Sequence, residues 1–263
     1  MNDAVIAALS EHQQNVARAL LAEESAKRRH MVMALSGSHA YGFPSPDSDL
    51  DLKAIHIEPT RRLLGLGKAH QAAARLEVID EVEIDYTSNE LQPVLAGILG
   101  GNGNYIERVL GRLLVHETEQ NDTLAELVRG SLSQNVYQHY RGFANSQFRG
   151  VQNQETTTAK KVLYVMRTAL TGTHLLNTGE LVVDLNENLD TYDFDDAREL
   201  IEYKLNGERV QLSVEQTEHW RSRLKDAFEL LETARRESKL PAQPANADAV
   251  EAWLIETRRA DLG

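Results

Sequence analysis

Two acidic residues, Asp49 and Asp51, stand two positions apart shortly after a Gly37-Ser38 pair. Apolar residues alternate with polar ones from position 50 onward, a period that predicts a strand over residues 50–57. Side chains two residues apart in a strand point to the same face, so the two carboxylates share a face with their Cα atoms ~6.6–6.8 Å apart. Mg²⁺ is commonly held by one or two carboxylates together with substrate phosphates. The spacing therefore predicts a Mg²⁺ site at the start of this strand.

The Gly37-Ser38 pair lies at the end of an apolar run, residues 31–35, which predicts a preceding strand. Residues 39–41 then have room for one helical turn, whose free backbone N–H groups and the Ser38 hydroxyl would face an anion. Gly-Ser and Asp-Ser-Asp sequences also occur in ordinary surface turns. Their order here, with a strand on each side, favours a catalytic site that binds phosphate.

Acidic side chains recur in a later stretch of the chain that is also predicted to form strands. Residues 76–87 alternate apolar and acidic side chains, which predicts a hairpin that turns at Asp80 and Glu81. Glu81, Glu83 and Asp85 would share one face, so the pattern alone does not show which of them would act together with Asp49 and Asp51. The alternative to a functional role for these acids is an edge strand whose charges only prevent aggregation. A helix capped by residues 88–90 is expected to follow.

The order of these motifs resembles the signature of the DNA polymerase beta-type nucleotidyltransferase superfamily. Gly37-Ser38 and Asp49-x-Asp51 match that signature residue by residue. More narrowly, residues 37–42 and 45–49 resemble a branch of small predicted nucleotidyltransferases sometimes found near RNA ligases.

The resemblance implies a third acid between two apolar residues on a later strand. Asp85, between Ile84 and Tyr86 and close to the expected helix start, is the preferred residue, and Glu83 is the second choice.

The resemblance also implies a reaction. A nucleoside monophosphate would pass from a nucleoside triphosphate to an acceptor hydroxyl, on an RNA end, a small molecule or a protein, with release of pyrophosphate. Asp49, Asp51 and Asp85 would be catalytic and would bind Mg²⁺ or Mn²⁺, while Gly37 and Ser38 would orient the β and γ phosphates. Asp85 would also accept the proton. The alternative is a non-catalytic, antitoxin-like regulatory protein that binds nucleotide.

The C-terminal half is helical in pattern from Asp122 onward, and its helix over residues 157–177 has two contrasting faces. Residues 162, 166, 169, 170 and 173 form a packing face. A second face carries Lys160, Tyr164, Arg167, Thr171 and His174 and is predicted to be open, either to a ligand or, as the alternative, to solvent alone. By analogy with the superfamily, the predicted nucleotide-binding side chains are those of Lys160, Lys161, Tyr164 and Arg167. Lys160 or Lys161 would contact the triphosphate, and Tyr164 would lie near the base.

These patterns predict an α+β protein. A minimal nucleotidyltransferase fold, a small mixed sheet flanked by helices, would occupy residues 1–120, and an all-α domain would occupy residues 121–263.

Composition excludes several functional classes. The 263 residues contain no cysteine, which rules out disulfides, thiolate metal sites and cysteine nucleophiles. The formal charge of −12 argues against binding long duplex DNA, because such binding depends on many basic contacts to phosphate. No apolar run approaches the ~20 residues of a membrane helix, and the first residues do not resemble a secretion signal. The sequence therefore predicts a cytoplasmic protein.

Overall fold

The computed structural model describes residues 1–66, 72–205, 207 and 210–262, and within them the strands form one five-stranded mixed sheet in the order β3-β4-β2-β1-β5. β2 runs parallel to β4 and antiparallel to β1. At the two edges, β3 pairs antiparallel with β4, and β5 pairs antiparallel with β1. The α+β class and the small mixed sheet are confirmed. The strands are β1 (Arg29–Leu35), β2 (Leu50–Ile57), β3 (Ala73–Ile79), β4 (Val82–Glu90) and β5 (Leu114–Glu117).

The predicted hairpin is present. β3 and β4 are joined by Asp80 and Glu81, whose φ angles of 47° and 65° lie in the left-handed region. Two-residue hairpin loops with both residues in this region match the twist of the flanking strands.

The helix predicted to be capped within residues 88–90 is α5 (Leu91–Leu99), and β4 extends through Glu90 up to its start. Ser88 and Asn89 pair in register with Ala54 and Ile55 of β2, and the Ser88 hydroxyl hydrogen-bonds His56 Nδ1 at 2.7 Å. Glu90 itself caps the helix by accepting a hydrogen bond from the backbone N–H of Gln92.

Helices alternate with the strands in the first half of the chain and make up most of the second half. Two of them, α2 and α12, begin at capping boxes in which a serine and a glutamine satisfy the first backbone N–H groups. No helix within the described residues combines the length and apolar character needed to cross a membrane. The helices are α1 (Asp3–Ala8), α2 (Glu11–Ser25), α3 (Gly37–Ala40), α4 (Thr60–Leu64), α5 (Leu91–Leu99), α6 (Gly103–Leu110), α7 (Asn121–Gly130), α8 (Val136–Gln152), α9 (Ala159–Thr178), α10 (Leu185–Thr191), α11 (Arg198–Leu205), α12 (Val214–Glu237) and α13 (Ala247–Leu262).

The chain divides into two compact units, and neither is one continuous stretch. The first unit comprises residues 1–37, 49–132 and 244–263, and the second comprises residues 38–48 and 133–243. This division differs from the single boundary predicted after residue 120.

Long-range contacts hold α13 in the first unit. The Arg258 guanidinium donates to the Glu58 carbonyl at 2.9 Å and pairs with the Glu90 carboxylate, and the Asp261 carboxylate accepts from the Thr60 backbone N–H at 2.6 Å. Contacts between residues about 200 positions apart leave no pattern in a single sequence.

Each unit has its own apolar core. In the first unit, residues of α1 and α2 pack with the inner strands of the sheet. In the second unit, the core is built around α9 and includes residues from the segment 38–48 as well as from α8, α11 and α12. The short segment 38–48 is therefore anchored within the helical unit.

A buried histidine gives the first unit a predicted pH dependence. His30 is 3% exposed, and its Nε2 lies 2.8 Å from the Tyr86 hydroxyl. Burial is the main cause that lowers the pKa of His30 to about 4, with nearby positive charge adding to it. The unfolded chain then binds the proton more tightly than the folded chain, so stability is lost as pH falls through the range between about 6.5 and 4.

We expect this histidine to lower the free energy of unfolding by about 2 kcal/mol between pH 7 and pH 5. Denaturant titrations at the two pH values measure this loss. In His30→Gln the free energy of unfolding should fall by about 2 kcal/mol less between pH 7 and pH 5 than it does in wild type. His12→Gln, at an exposed histidine, is the matched control and should behave as wild type. Equal pH dependence in His30→Gln and wild type would contradict the assignment.

Candidate active site

The sheet brings two of the predicted acidic residues together. β2 and β4 run parallel with Asp51 directly beside Asp85 in the register. Asp51 is 23% exposed and Asp85 is 42% exposed, so the pair sits at an accessible position on the sheet. Neighbouring carboxylates of like charge repel one another unless a cation lies close to both.

Lys53 supplies that cation. Its Nζ lies 2.7 Å from Asp85 Oδ1 and 3.6 Å from Asp51 Oδ1, and it also donates a hydrogen bond to the Asp85 backbone carbonyl at 3.2 Å. The carboxylates are therefore arranged to share a positive charge, and their hard oxygen donors are those that Mg²⁺ and Mn²⁺ accept. Because Asp51 and Asp85 already share one cation, the Lys53 ammonium, their carboxylates are suited to binding a divalent cation.

The full three-acid set is not assembled as a metal centre. Among the residues that the structure describes, no group of three or more His, Asp or Glu side chains is arranged to hold a metal ion. Asp49 lies immediately before the first residue of β2. The set of Asp49, Asp51 and Asp85 as metal ligands therefore stays a prediction.

The two candidates for the third acid have different environments. The register between β2 and β4 begins at Leu50 and Ile84 and continues with Asp51 beside Asp85. Glu83 is exposed and pairs with Val78 of β3. Asp85 lies in mid-strand rather than next to a helix start, so its position beside Asp51 comes from strand register alone.

Gly37 lies against the Asp51 carboxylate. A Cβ atom built at Gly37 would be 1.8 Å from Asp51 Oδ2 and 2.7 Å from Asp51 Cγ, and the glycine has a φ of +63°. The preceding residue, Ser36, donates its backbone N–H to the Asp51 carbonyl at 2.8 Å. Any side chain at Gly37 would displace the carboxylate, which explains why a glycine is needed at this point in the turn.

The predicted helical turn after Gly37 is present as α3. Ser38 is 3% exposed, and its carbonyl accepts a hydrogen bond from the Phe43 backbone N–H at 3.1 Å. Gly37 belongs to the first compact unit and Ser38 to the second. The contact of Ser38 with phosphate stays a prediction.

The packing face predicted on α9 is confirmed, because Val162, Met166, Ala169, Leu170 and Thr173 are all buried.

The second face of α9 is less open than predicted. Arg167 and Thr171 are buried, so the expectation that the whole stripe is open is wrong at these two positions. The Arg167 guanidinium lies 3.6 Å from the centroid of the Tyr41 ring, and Tyr164 makes edge contacts with the rings of Tyr41 and Phe43. The segment 38–48 covers this part of the helix.

The same segment is held from a second side by a buried lysine. Lys204 is fully buried, and its Nζ donates to the hydroxyls of Ser45 and Ser48 at 2.9 and 3.2 Å. The two hydroxyls also lie 3.0 Å from each other. The loop that joins the two halves of the signature is thus fixed to α9 and α11 rather than lying free in solvent.

The two predicted phosphate-binding lysines differ in setting. Lys160 is partly buried, with its Nζ 5.9 Å from the centroid of the Tyr164 ring. Lys161 is exposed, and its Nζ donates to Gln154 Oε1 at 3.0 Å.

Two basic residues that interact with the acidic pair, Lys53 by direct contact and Arg108 through the charge of Asp85, were not predicted from the sequence. Lys53 continues the polar face of β2 two residues after Asp51, so the alternation that identified the acids also pointed to it. Arg108 of α6 donates to the Ala54 carbonyl at 3.3 Å and to the Asn89 side chain. Burial lowers the pKa of Arg108, while the charges of Tyr105 and Asp85 oppose that shift. No local pattern distinguished Arg108 from a surface arginine.

Comparison with known proteins identifies the family. Residues 6–256 match the family described as the RNA repair pathway DNA polymerase beta family, RlaP. The chain belongs to this family. It is therefore a nucleotidyltransferase-like protein, and the resemblance carried by Gly37-Ser38 and Asp49-x-Asp51 is confirmed.

The chain is also similar to one curated protein and to one solved structure. An uncharacterized protein of Methanocaldococcus jannaschii is 27% identical over 234 residues, which cover 85% of this chain and 93% of that protein. A solved structure of a nucleotidyltransferase-like protein from Exiguobacterium sibiricum is 16% identical, with a TM-score of 0.33, over 94% of this chain and 80% of that one.

Proposed function

We propose that this RlaP-family protein is a metal-dependent nucleotidyltransferase that moves a nucleoside monophosphate from a nucleoside triphosphate to an acceptor hydroxyl. One observation carries the proposal: Asp51 and Asp85 stand side by side around a shared positive charge. Carboxylates in this arrangement, against a glycine turn, support cation-assisted phosphoryl chemistry better than a purely structural role. The family description, which refers to RNA repair, favours an RNA end as the acceptor.

In the proposed mechanism the protein mainly positions charges, since phosphoryl transfer requires few reactive groups from the enzyme. Asp49, Asp51 and Asp85 would bind Mg²⁺ or Mn²⁺, which when bound neutralises phosphate charge and lowers the pKa of the acceptor hydroxyl. Asp85, the more exposed member of the pair, would accept the proton from that hydroxyl. Gly37 and Ser38 would orient the β and γ phosphates through the backbone.

On the helical unit, Lys160 and Lys161 would contact the triphosphate and Tyr164 would contact the base. The ring of Tyr164 is already oriented by its edge contacts with Tyr41 and Phe43. Arg167 would act mainly by holding Tyr41, because its guanidinium is buried over that ring.

The experiment that tests the function is a screen of the four α-labelled nucleoside triphosphates with Mg²⁺ or Mn²⁺. RNA with free ends, total protein and small metabolites serve as acceptors. Label in RNA that depends on the metal is the expected result. Label only in the protein itself would redirect the proposal to protein modification. Nucleotide binding without transfer to any acceptor would contradict catalysis and favour a regulatory nucleotide-binding protein.

The lysine pair offers a separate prediction. Lys160→Ala combined with Lys161→Ala is expected to weaken triphosphate binding by about tenfold and to reduce its dependence on salt, because two charge contacts to phosphate are removed. Titration calorimetry at two salt concentrations measures both effects. Lys225→Ala, at an exposed position of α12, is the control. Wild-type affinity in the double variant would show that these lysines are ordinary surface residues.

A further inference from the structure

The Lys53 ammonium lies close to both carboxylates that are proposed to bind metal. It is directed at three oxygens of the acidic pair: Asp85 Oδ1 at 2.7 Å, the Asp85 carbonyl at 3.2 Å and Asp51 Oδ1 at 3.6 Å. The two contacts to Asp85 lie within hydrogen-bonding distance, and the contact to Asp51 at 3.6 Å is an ion pair. The side chain is 18% exposed, which makes the interaction partly shielded from water.

The strand geometry makes this arrangement specific. Lys53 and Asp51 are two residues apart on β2, so their side chains share a face of the sheet. Asp85 comes from the adjacent parallel strand at the level of Asp51. The ammonium thus joins two strands through the same carboxylates that are proposed to bind metal.

A cation in this position has two opposing effects. It reduces the repulsion between Asp51 and Asp85, and so it stabilises the metal-free fold. It also uses the carboxylate oxygens that a divalent cation requires, and two cations cannot approach the same oxygens without repelling each other.

We propose that Lys53 is a built-in counter-ion that competes with the divalent metal for Asp51 and Asp85. The inference rests on the proposed function, since it concerns the metal that the reaction would use. Lys53 holds the pair in place without metal and must withdraw its ammonium from the carboxylates when metal binds. The protein therefore binds metal more weakly than the same acids would without the lysine.

The test compares Mn²⁺ affinity and metal-free stability in Lys53→Met and wild type. Calorimetric titration is expected to give a dissociation constant about three- to tenfold lower in the variant, the effect of removing a partly shielded ion-pair partner. Thermal unfolding in chelator should show a lower midpoint for the variant, and Mn²⁺ should raise that midpoint by more than it does in wild type. Lys53→Arg, which keeps the charge, should retain an affinity close to that of wild type.

Lys225→Met is the matched control, because it removes one exposed lysine charge from α12. Should Lys53→Met not fold in chelator, Lys53→Gln takes its place, since it removes the charge and keeps a polar side chain. Unchanged or weaker Mn²⁺ binding in the charge-removing variant would overturn the inference.

The two proposals fail in different ways. Mn²⁺ binding by wild type that Asp51→Asn abolishes, without tighter binding in Lys53→Met, would overturn the counter-ion role alone. No Mn²⁺ binding by wild type or by Lys53→Met would overturn the metal-dependent function as well.

Discussion

Replacement of Asp51 by asparagine is expected to lower nucleotidyl transfer by about a thousandfold or more, and Asp85→Asn should have a similar effect. Each variant keeps the shape of the side chain and removes the charge that the proposed mechanism uses to hold metal against phosphate. The measurement is the initial rate of transfer from an α-labelled triphosphate at saturating metal.

Loss of the fold would not explain this result. The backbone carbonyl of Asp51 accepts the Ser36 N–H whatever the side chain, and the register of β2 with β4 rests on backbone hydrogen bonds. Circular dichroism and the denaturation midpoint of each variant check this point. The free energy of unfolding should fall by no more than about 1 kcal/mol, the contribution that the partly exposed ion pairs to Lys53 can make.

Glu83→Gln is the matched control for Asp85→Asn. Glu83 lies two residues earlier on the same face of β4, is exposed and pairs with Val78 rather than with Asp51. Its variant should retain transfer activity within about twofold of wild type, because exposed substitutions away from a site usually have small effects. Full activity in Asp85→Asn together with a large loss in Glu83→Gln would show that Glu83 is the third acid.

Gly37→Ala is expected to abolish most of the activity and to destabilise the protein. The added Cβ would lie 1.8 Å from Asp51 Oδ2, so the carboxylate must leave its position beside Asp85. A non-glycine residue at a φ of +63° adds about 1–2 kcal/mol of backbone strain. We expect a loss of at least about 2 kcal/mol in the free energy of unfolding and at least about a hundredfold in transfer rate.

Gly179→Ala is the control that separates the clash with the Asp51 carboxylate from the backbone strain of a positive φ. Gly179 ends α9 at a φ of +77°, and among the described residues a Cβ atom there would meet Leu240 Cδ2 at 3.7 Å, an ordinary contact. This variant should lose about 1 kcal/mol of stability and keep its transfer rate. Equal stability losses in the two variants, with full activity in Gly37→Ala, would show that the glycine does not control the carboxylate.

The part of the site that was predicted from sequence depends on local spacing. Asp49-x-Asp51 at the start of an alternating run predicted β2, whose observed bounds are the predicted ones. The alternation after residue 76 predicted the hairpin at Asp80 and Glu81. Such patterns are readable because side chains in a strand alternate between faces.

Features set by contacts distant in sequence were not predictable in the same way. The choice between Glu83 and Asp85 depends on the register of β4 with β2, which a one-residue shift would change. The segment 38–48 had no local feature showing that Tyr41 would pack on Arg167 of α9. The helix α13 joins the first unit through ion pairs and hydrogen bonds to residues about 200 positions away.

Lys53 is an intermediate case. Its place on the acidic face of β2 follows from the same alternation that identified Asp51. A lysine in a strand is most often a solvated surface residue, so the pattern alone gave it no role. The contact with Asp85 is what distinguishes it, and that contact depends on the pairing of two parallel strands.

The position of the transferred label tests the central proposal most directly. Purified protein with Mn²⁺ and an RNA bearing a free end would be given the same triphosphate, labelled in one reaction at the α phosphate and in another at the γ phosphate. The proposed mechanism predicts α label in the RNA and γ label in pyrophosphate, with both products lost in Asp51→Asn. Release of γ label as inorganic phosphate, or equal product from wild type and Asp51→Asn, would contradict it.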